Sequence, residues 1–343
     1  MPHRTFFWFI LPSLVAMTLF IFVPIVSVVF QSLYVEHEQV VVVSENCGPF
    51  GCTEETTIDQ DATRALREAE PLGRFAGLSV YTDRAHLAAD EVGAIWAAST
   101  GLGDFVSRLM NLPFYRALIF TLSYVAIVTP LTIVLGLAIA LGVNGLPKVF
   151  KGPTIFVSLL PMIVTPVVGA LVLYWMMEQN GILGSALQAI TGDPTLSLRA
   201  SAPLTWITLY IYGVWSSAPF AFIVYYAGLQ TVPQEPLEAA MVDGASRWER
   251  IRYVVIPHLA PLTVFIALIQ LMDNFRVFEP IVSFNAGAVA PSLSYNIYND
   301  LRGEITLFNS AAATSVLTIL GVVILLTPVL LRTWRDFTTK GGH

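Results

Sequence analysis

The sequence contains little charge. Only 12% of its 343 residues are Asp, Glu, Lys or Arg, whereas 55% are hydrophobic and the mean hydropathy is +0.68. Soluble globular domains carry about a quarter charged residues, so this chain cannot present a hydrated surface on every side. The net charge of −6 also excludes a basic footprint of the kind that binds nucleic acid. The composition therefore predicts that most of the chain lies in a lipid bilayer.

The motifs of several enzyme classes are missing as well. The chain has no Walker A motif, G-x-x-x-x-G-K-[ST], and no lysine follows a glycine anywhere in it. H-E-x-x-H and G-x-S-x-G are also missing, and His37-Glu38 has no second histidine at the required spacing. A membrane enzyme is therefore not favoured. We expect no catalytic residue, no metal site and no ATP hydrolysis in this chain.

Six apolar segments are long enough to cross a bilayer, which takes about 20 residues. The first has too long an apolar core for a secretion signal and no small-x-small cleavage site after it, so we expect an uncleaved anchor. Prolines inside the segments are tolerated, because neighbouring helices or water satisfy the freed carbonyls. The sequence predicts an all-α polytopic protein with six transmembrane helices near residues 6–33, 114–143, 153–177, 204–229, 259–283 and 309–331.

The basic residues predict how these spans are oriented. With the N-terminus inside, every lysine falls in a cytoplasmic segment, and the short loops opposite hold only Arg199 and Arg302. Long loops cross the membrane largely regardless of charge, so the acidic segment after the first span does not affect this assignment. We expect both termini inside, with a tail and first span at 1–33, an external subdomain at 34–113, a five-span core at 114–334 and a cytoplasmic tail at 335–343.

The external segment holds the only two cysteines, Cys47 and Cys52, in C-G-P-F-G-C. In an oxidising space we expect a small disulfide ring, and two free thiols in a mobile loop are the alternative. Zinc is not expected, because two cysteines make half a site and His37 and His86 show no ligand spacing. The stretches D-A-T-R-A-L-R-E-A-E and R-A-H-L-A-A-D-E-V-G-A-I-W-A-A-S predict helices in the same segment.

A charged run, residues 231–257, lies in the cytoplasm between the fourth and fifth spans. Thr231 and Gln234 predict a capped helix start, and Gly244 predicts a left-handed helix end. A capping box at Ser246 predicts a second helix, which we expect to end at Pro257. Small side chains in the first helix allow another surface to approach closely. The alternative is an amphipathic connector on the lipid headgroups, for which lysines and large apolar residues would be typical.

The spacing in this run resembles the signature cytoplasmic loop of permease subunits in binding-protein-dependent ABC importers. The matching residues are Glu238, Ala239, Ala240, Gly244, Val254, Ile256 and Pro257, with Val and Ile where Ile and Leu are usual. The six spans, the position of the loop and the long external insert are similar to the larger permease of maltose- and glycerol-phosphate-type importers. The resemblance covers the chain from about Phe114 onward, and not the external segment.

The resemblance implies a coupling helix that docks on a separate ATPase subunit. The residues expected to carry this contact are Glu238, Ala239, Ala240, Asp243, Gly244, Arg247 and Pro257. It also implies a bacterial inner-membrane location and four partner subunits of three kinds: a second, related permease, two ATPase subunits and a periplasmic solute-binding protein. ATP and Mg²⁺ would bind the ATPase subunits, and this chain would hold no cofactor.

Polar residues inside the spans are candidates for the transport path, because burying them in lipid is costly. In the fifth span, Gln270, Asp273 and Asn274 have the i, i+3, i+4 spacing of one helix face. In the fourth span, the candidates at similar depth are Trp215, Ser216 and Ser217, with Tyr210 two turns away. Such hydroxyl, amide, carboxylate and aromatic groups suit a sugar, oligosaccharide or polyol.

Structural roles are the alternative for these residues. Asp273, Arg276 and Glu279 are spaced three residues apart, and their alternative role is to neutralise one another's charges within the bundle. Serines in membrane helices often serve in helix packing alone. A permease for another solute, such as a polyamine or phosphate, is a second alternative. An ion-coupled secondary transporter with Asp273 as its carboxylate is a third, although no inverted repeat is visible in the sequence.

Overall fold

The computed structural model describes residues 2–37, 40–48, 51–193, 197, 201–303 and 306–340. The chain divides into two compact units, the first Met1–Tyr115 with Asn296–Ile319 and the second Arg116–Tyr295 with Leu320–His343. The domain boundaries expected from the sequence stay a prediction. Most described residues are helical, which confirms the all-α class.

The first unit begins with a long apolar helix and continues into the segment after it. The elements are α1 (Pro2–Met17), a π-helical turn (Thr18–Phe22), α2 (Val23–Gln31), β1 (Tyr34–Val35), β2 (Val41–Gly48), β3 (Gly51–Ile58), α3 (Gln60–Ala69), β4 (Arg74–Phe75), α4 (Ser79–Thr82), α5 (Ala89–Ala98) and α6 (Leu102–Leu109). The apolar helix Phe6–Gln31 is exposed or half-buried along its length, as expected of a span that faces lipid. The first helix predicted in the segment is confirmed by α3, and the second is confirmed by α5 from Ala89 onward.

An antiparallel hairpin, β2–β3, was not predicted. Its signal was present in the sequence, because β-branched residues flank the turn formers Gly-Pro-Phe-Gly on both sides. The strands pair from Val41 opposite Ile58 to Gly48 opposite Gly51, and this register places Cys47 opposite Cys52. The side chains of the two cysteines lie outside the described part of the chain, so the disulfide stays a prediction.

The remaining helices include the other membrane-spanning segments and the connections between them. They are α7 (Pro113–Asn144), α8 (Lys148–Ile163), α9 (Pro166–Met177), α10 (Ile182–Thr191), α11 (Ala202–Leu229), α12 (Gln234–Val242), α13 (Arg247–Arg250), a π-helical turn (Ile251–Val255), α14 (Ile256–Phe275), α15 (Glu279–Ser283), α16 (Leu293–Arg302) and α17 (Phe308–Lys340). Within the described residues, five helices are long and apolar enough to cross a membrane, and six if a bent pair counts as one span.

The predicted third span is the bent pair. The axes of Lys148–Ile163 and Pro166–Thr191 differ by 92°, so the helix in the span predicted near 153–177 is broken and not continuous. Thr165 has φ −60° and ψ 144°, which is extended backbone. Proline disfavours the helical conformation in the residue before it, and Pro166 therefore ends the helix at this point.

The fifth span also differs from its prediction at both ends. A continuous helical segment runs from Arg247 to Phe275, so the expectation that a helix ends at Pro257 is wrong. Proline has no backbone N–H to donate to the preceding helical turn. Directly before α14 that turn is π-helical, with the Ile256 N–H donating to the Ile251 carbonyl, so the hydrogen-bond pattern changes at the point where Pro257 lacks a donor. The segment stops at Phe275, since Arg276 leaves the helical region with φ −97° and ψ 21°. Glu279 therefore belongs to a separate helix, α15, and not to one face with Asp273.

Helices α7 and α11 approach closely in the second unit. A Cβ atom built on Gly136 would lie 2.5 Å from the Cβ of Ala221 and 2.9 Å from the backbone nitrogen of Phe222. Around this point Ala221, Phe222 and Tyr225 are fully buried in one cluster. Glycine at position 136 therefore sets the distance between the two helices.

Replacing Gly136 by valine is expected to destabilise the purified chain by about 1–3 kcal/mol, because the backbones of α7 and α11 must move apart. Thermal unfolding in detergent measures this. Gly142→Val is the matched control, since it lies on the same helix and a Cβ there meets no described atom within 4 Å. Equal melting temperatures for the two variants would contradict the packing described here.

Candidate functional site

The run between α11 and α14 begins differently from its prediction. Helix α12 starts at Gln234 with Pro233 as its N-cap, so the predicted cap at Thr231 is wrong. The Thr231 hydroxyl instead donates to the Gly228 carbonyl at 2.8 Å. Thr231 therefore completes the last turn of α11 and does not start α12.

The end of α12 agrees with the prediction. Gly244 has φ +80°, a left-handed conformation that glycine adopts without steric cost. Its N–H donates to the Met241 carbonyl at 3.1 Å, and the Ala245 N–H donates to the Ala240 carbonyl at 2.9 Å. These two bonds form a Schellman motif, which satisfies carbonyls that the helix end would leave unpaired. A Cβ at position 244 meets no described atom within 4 Å, so the requirement for glycine is a backbone requirement.

The predicted capping box is confirmed. The Glu249 N–H donates to Ser246 Oγ at 3.3 Å, and the Ser246 N–H donates to Glu249 Oε2 at 2.7 Å. The helix that starts here continues into the fifth span without a break. The second half of the loop is therefore rigidly joined to a transmembrane helix, which the sequence did not indicate because Pro257 suggested an end.

The surface of this loop is exposed and partly apolar. Of the predicted contact residues, all but the half-buried Ala240 are exposed: Glu238, Ala239, Asp243, Gly244, Arg247 and Pro257. Val242, 89% exposed, Met241 and Trp248 add apolar area that was not predicted. Exposed apolar side chains rimmed by charges are typical of a contact surface.

The polar residues of the fifth span fall into two groups. Gln270 and Asn274 are 4% and 5% exposed, and the Asn274 amide donates to Gln270 Oε1 at 3.4 Å and to Thr129 Oγ1 on α7 at 3.0 Å. Asp273 has a side chain 53% exposed and pairs with Arg276 at 3.0 Å. The structure thus brings Gln270 and Asn274 together and directs Asp273 to a different surface. The sequence did not indicate Thr129 as a partner of Asn274, because threonine is common in apolar helices.

The candidates on α11 are also separated. The Tyr210 hydroxyl lies 2.7 Å from Ser123 Oγ, and its ring stacks on Phe120 at 6.2 Å. Ser216 Oγ donates to the carbonyl of Gly213 within the helix at 3.2 Å. Trp215 is exposed and Ser217 is half-buried. Tyr210 therefore belongs to an internal aromatic cluster, whereas Trp215 faces outward from the chain.

The loop between α15 and α16 is held by two donors that the sequence analysis missed. Arg116 Nη2 donates to the Ala288 carbonyl at 2.8 Å, and Trp206 Nε1 donates to the Val289 carbonyl at 3.0 Å. Both side chains come from helices distant in sequence, so no local pattern could have indicated the contact. The two bonds fix this loop against α7 and α11.

Most of the chain matches one known protein family. Residues 92–334 match the model of a family described as binding-protein-dependent transport system inner membrane component. The chain belongs to this family. The match includes the second to sixth spans and the whole run from α12 to α14, and it agrees with the resemblance found in the sequence.

Several relatives of this inner membrane component are sugar permeases by name. The chain is 27% identical over 205 residues to the trehalose/maltose transport system permease protein MalF of Thermococcus litoralis, a match covering 58% of the chain and 69% of the relative. It is 32% identical over 192 residues to the trehalose permease SugA of Mycobacterium tuberculosis, covering 56% and 61%. A match to a probable ABC transporter permease of Pyrococcus horikoshii spans 58% of that protein.

Solved transporters share the fold. The crystal structure of a bacterial ABC transporter involved in the import of the acidic polysaccharide alginate contains a chain that is similar with a TM-score of 0.58. The two chains are 22% identical, and the match covers 73% of this chain and 90% of that one. The likeness shows that the two chains share a fold.

Proposed function

We propose that the chain is a permease subunit of an ATP-driven importer for a sugar, oligosaccharide or polyol. The observation that carries the proposal is the exposed loop from α12 to α13, which continues as one helix into the fifth span. In the proposal this loop docks on an ATPase subunit, and ATP and Mg²⁺ bind there and not in this chain. The solute class rests on the relatives named for trehalose, maltose and lactose.

The geometry suits transmission of movement through the membrane. The helical segment Arg247–Phe275 has 29 residues, and at about 1.5 Å per residue it exceeds the hydrocarbon core of about 30 Å. A displacement of Arg247 by a closing ATPase therefore moves the rest of the segment with it. Asn274 and its partner Thr129 join the far end of this segment to α7, so the movement reaches a second span.

In this proposal the transport path lies between this chain and a second, related permease. Asp273 and Trp215 are exposed on spanning helices, and lipid is an unfavourable neighbour for a carboxylate. A hydrated path shared with the second permease satisfies the Asp273–Arg276 pair, and an exposed indole stacks on sugar rings. Gln270 and Asn274 are occupied within the chain, so we assign them a structural role next to the path. Ser217 is the further candidate on α11.

The proposal also gives the orientation of the chain in the inner membrane. We place both termini in the cytoplasm, and the segment from β1 to α6 outside with a periplasmic solute-binding protein. A transporter of the same fold is described in complex with an alginate pentasaccharide-bound periplasmic protein, which supports a partner of this kind.

A photo-reactive amino acid at Val242 tests the docking. In cells that produce the whole transporter, we expect it to cross-link to a protein that carries G-x-x-x-x-G-K-[ST], because the Val242 side chain is 89% exposed on the loop. Ile190 on α10, also highly exposed, is the control site and should not form this product. Cross-linking of Val242 to lipid alone would favour a connector on the headgroups.

A further inference from the structure

Helix α6 carries an apolar face that is only half covered. Phe105 and Leu109 lie on this face and are half-buried and buried, whereas Leu102 is 75% exposed and Val106 is also exposed. Trp96 on α5 extends the exposed area, and its ring meets that of Phe105 edge-on at 5.1 Å. We call Trp96, Leu102 and Val106 the α5–α6 apolar face. Trp96 and Leu102 line one cleft together with Phe105, and Val106 lies one turn after Leu102 on the same side of α6. Exposed apolar side chains grouped in this way are typical of a contact surface.

The α5–α6 apolar face is fixed to the start of a transmembrane helix. Only Met110–Leu112 separate α6 from α7. Leu109, Leu112 and the half-buried Tyr115 pack in one cluster with residues of α5, so the first turn of α7 and both short helices move together. The position of the face is therefore set by the depth at which α7 enters the bilayer.

The length of α7 gives that depth. Its 32 residues span about 48 Å at 1.5 Å per residue, whereas the hydrocarbon core is about 30 Å thick and the whole bilayer about 40–45 Å. When α7 is centred in the bilayer, it extends beyond the hydrocarbon core at both ends, and its N-terminal turn reaches the level of the headgroups. Tryptophan and tyrosine are enriched at this level of a membrane, and the apolar faces of amphipathic helices are buried there.

The polar groups near the face are already paired. Arg108 Nε donates to Asp104 Oδ1 at 2.9 Å, and the Thr100 N–H donates to Asp104 Oδ2 at 3.1 Å. The Arg108 guanidinium and the Thr100 N–H hold the pKa of Asp104 below its usual range. Ser99 Oγ donates to the Ile95 carbonyl at 2.6 Å. The cleft of about 350 Å³ beside Trp96 therefore offers apolar surface and few free polar groups, which disfavours a sugar as its occupant.

We propose that the α5–α6 apolar face lies in the headgroup region of the bilayer leaflet where α7 begins, and so anchors the segment before α7 on the membrane surface. The binding is apolar, because the single basic residue of α6 is paired with Asp104 and gives no excess positive charge for anionic lipid. The proposal depends on membrane insertion of the chain and not on the solute that it transports.

Quenching of a probe on α6 tests this. The full chain, with Cys47→Ser and Cys52→Ser, is placed in phosphatidylcholine nanodiscs and labelled with a fluorescent thiol reagent at Leu102→Cys or at Ser107→Cys. Ser107 is the matched control, since it is exposed on the opposite side of the same helix. Lipids carrying a nitroxide near the headgroup quench from the membrane, and iodide quenches from water.

We expect the probe at position 102 to be quenched severalfold more by the nitroxide lipid than the probe at 107, with the reverse order for iodide. Equal iodide quenching at both positions would overturn the proposal. So would a probe at 102 that is shielded from both quenchers, because a protein surface would then cover the face. Shielding from iodide that requires added saccharide would also overturn it and would assign the cleft to a sugar.

Discussion

Replacing Gly244 by valine is expected to abolish most ATP-driven uptake while the chain still inserts in the membrane. The backbone at this position has φ +80°, which a β-branched residue adopts only with strain of about 1–3 kcal/mol. That strain opens the Schellman motif and turns α12 away from α13. Because every 1.4 kcal/mol is a factor of about ten, the docked geometry loses about five- to hundredfold in population. The measurement is uptake per ATP hydrolysed by the assembled transporter.

The matched control is Gly244→Asn. Asparagine tolerates the left-handed conformation better than valine, so this variant is expected to keep a substantial part of the uptake. Steric crowding is not the cause, since a Cβ at this position meets no described atom within 4 Å. Full uptake in the valine variant would contradict the role of the loop, and equal loss in both variants would contradict the backbone argument.

The second large effect is expected in the fifth span, where neighbouring residues should behave differently. Asn274→Ala leaves Gln270 and Thr129 without a partner inside the bundle, which costs about 1–3 kcal/mol and lowers the melting temperature of the purified chain. Asp273→Ala removes an exposed carboxylate, so the melting temperature stays nearly constant while the affinity or rate of uptake falls. Thermal unfolding and transport assays on both variants separate the two effects.

The opposite pattern would contradict this assignment. If Asp273→Ala prevents assembly of the transporter and leaves uptake per assembled complex unchanged, the Asp273–Arg276 pair has a structural role. If Asn274→Ala keeps full stability but loses uptake, Asn274 contacts the solute. Asp273→Asn adds a test of charge, because it keeps the size of the side chain.

The elements that the sequence predicted well are those with a local physical cause. Apolar length alone located the spans, and the serine–glutamate spacing at Ser246 and Glu249 located a helix start. Gly244 identified a helix end because few other residues adopt its conformation. Each of these signals lies within a few residues of the feature that it predicts.

The elements that were missed depend on contacts or on a choice between local signals. Prolines decide helix continuity in opposite ways here, since Pro166 breaks the helix of a predicted span and Pro257 does not end the helix that contains it. Their difference lies in the turn that precedes each. The orientation of Asp273 could not be predicted, because the i, i+3, i+4 spacing does not show how the helix is rotated about its axis. The hydrogen bond from Asn274 to Thr129 on α7 shows this rotation, and it lies outside the local sequence. The hairpin β2–β3 was overlooked in favour of the helical stretches around it.

The central claim is that movement of a separate ATPase drives transport through this chain. The direct measurement is accumulation of radiolabelled sugar in vesicles that contain the purified chain, its permease partner and the solute-binding protein, with and without the ATPase subunits and ATP. The account predicts accumulation against a gradient only when both the ATPase subunits and ATP are present. Accumulation by the chain without any ATPase subunit would contradict it.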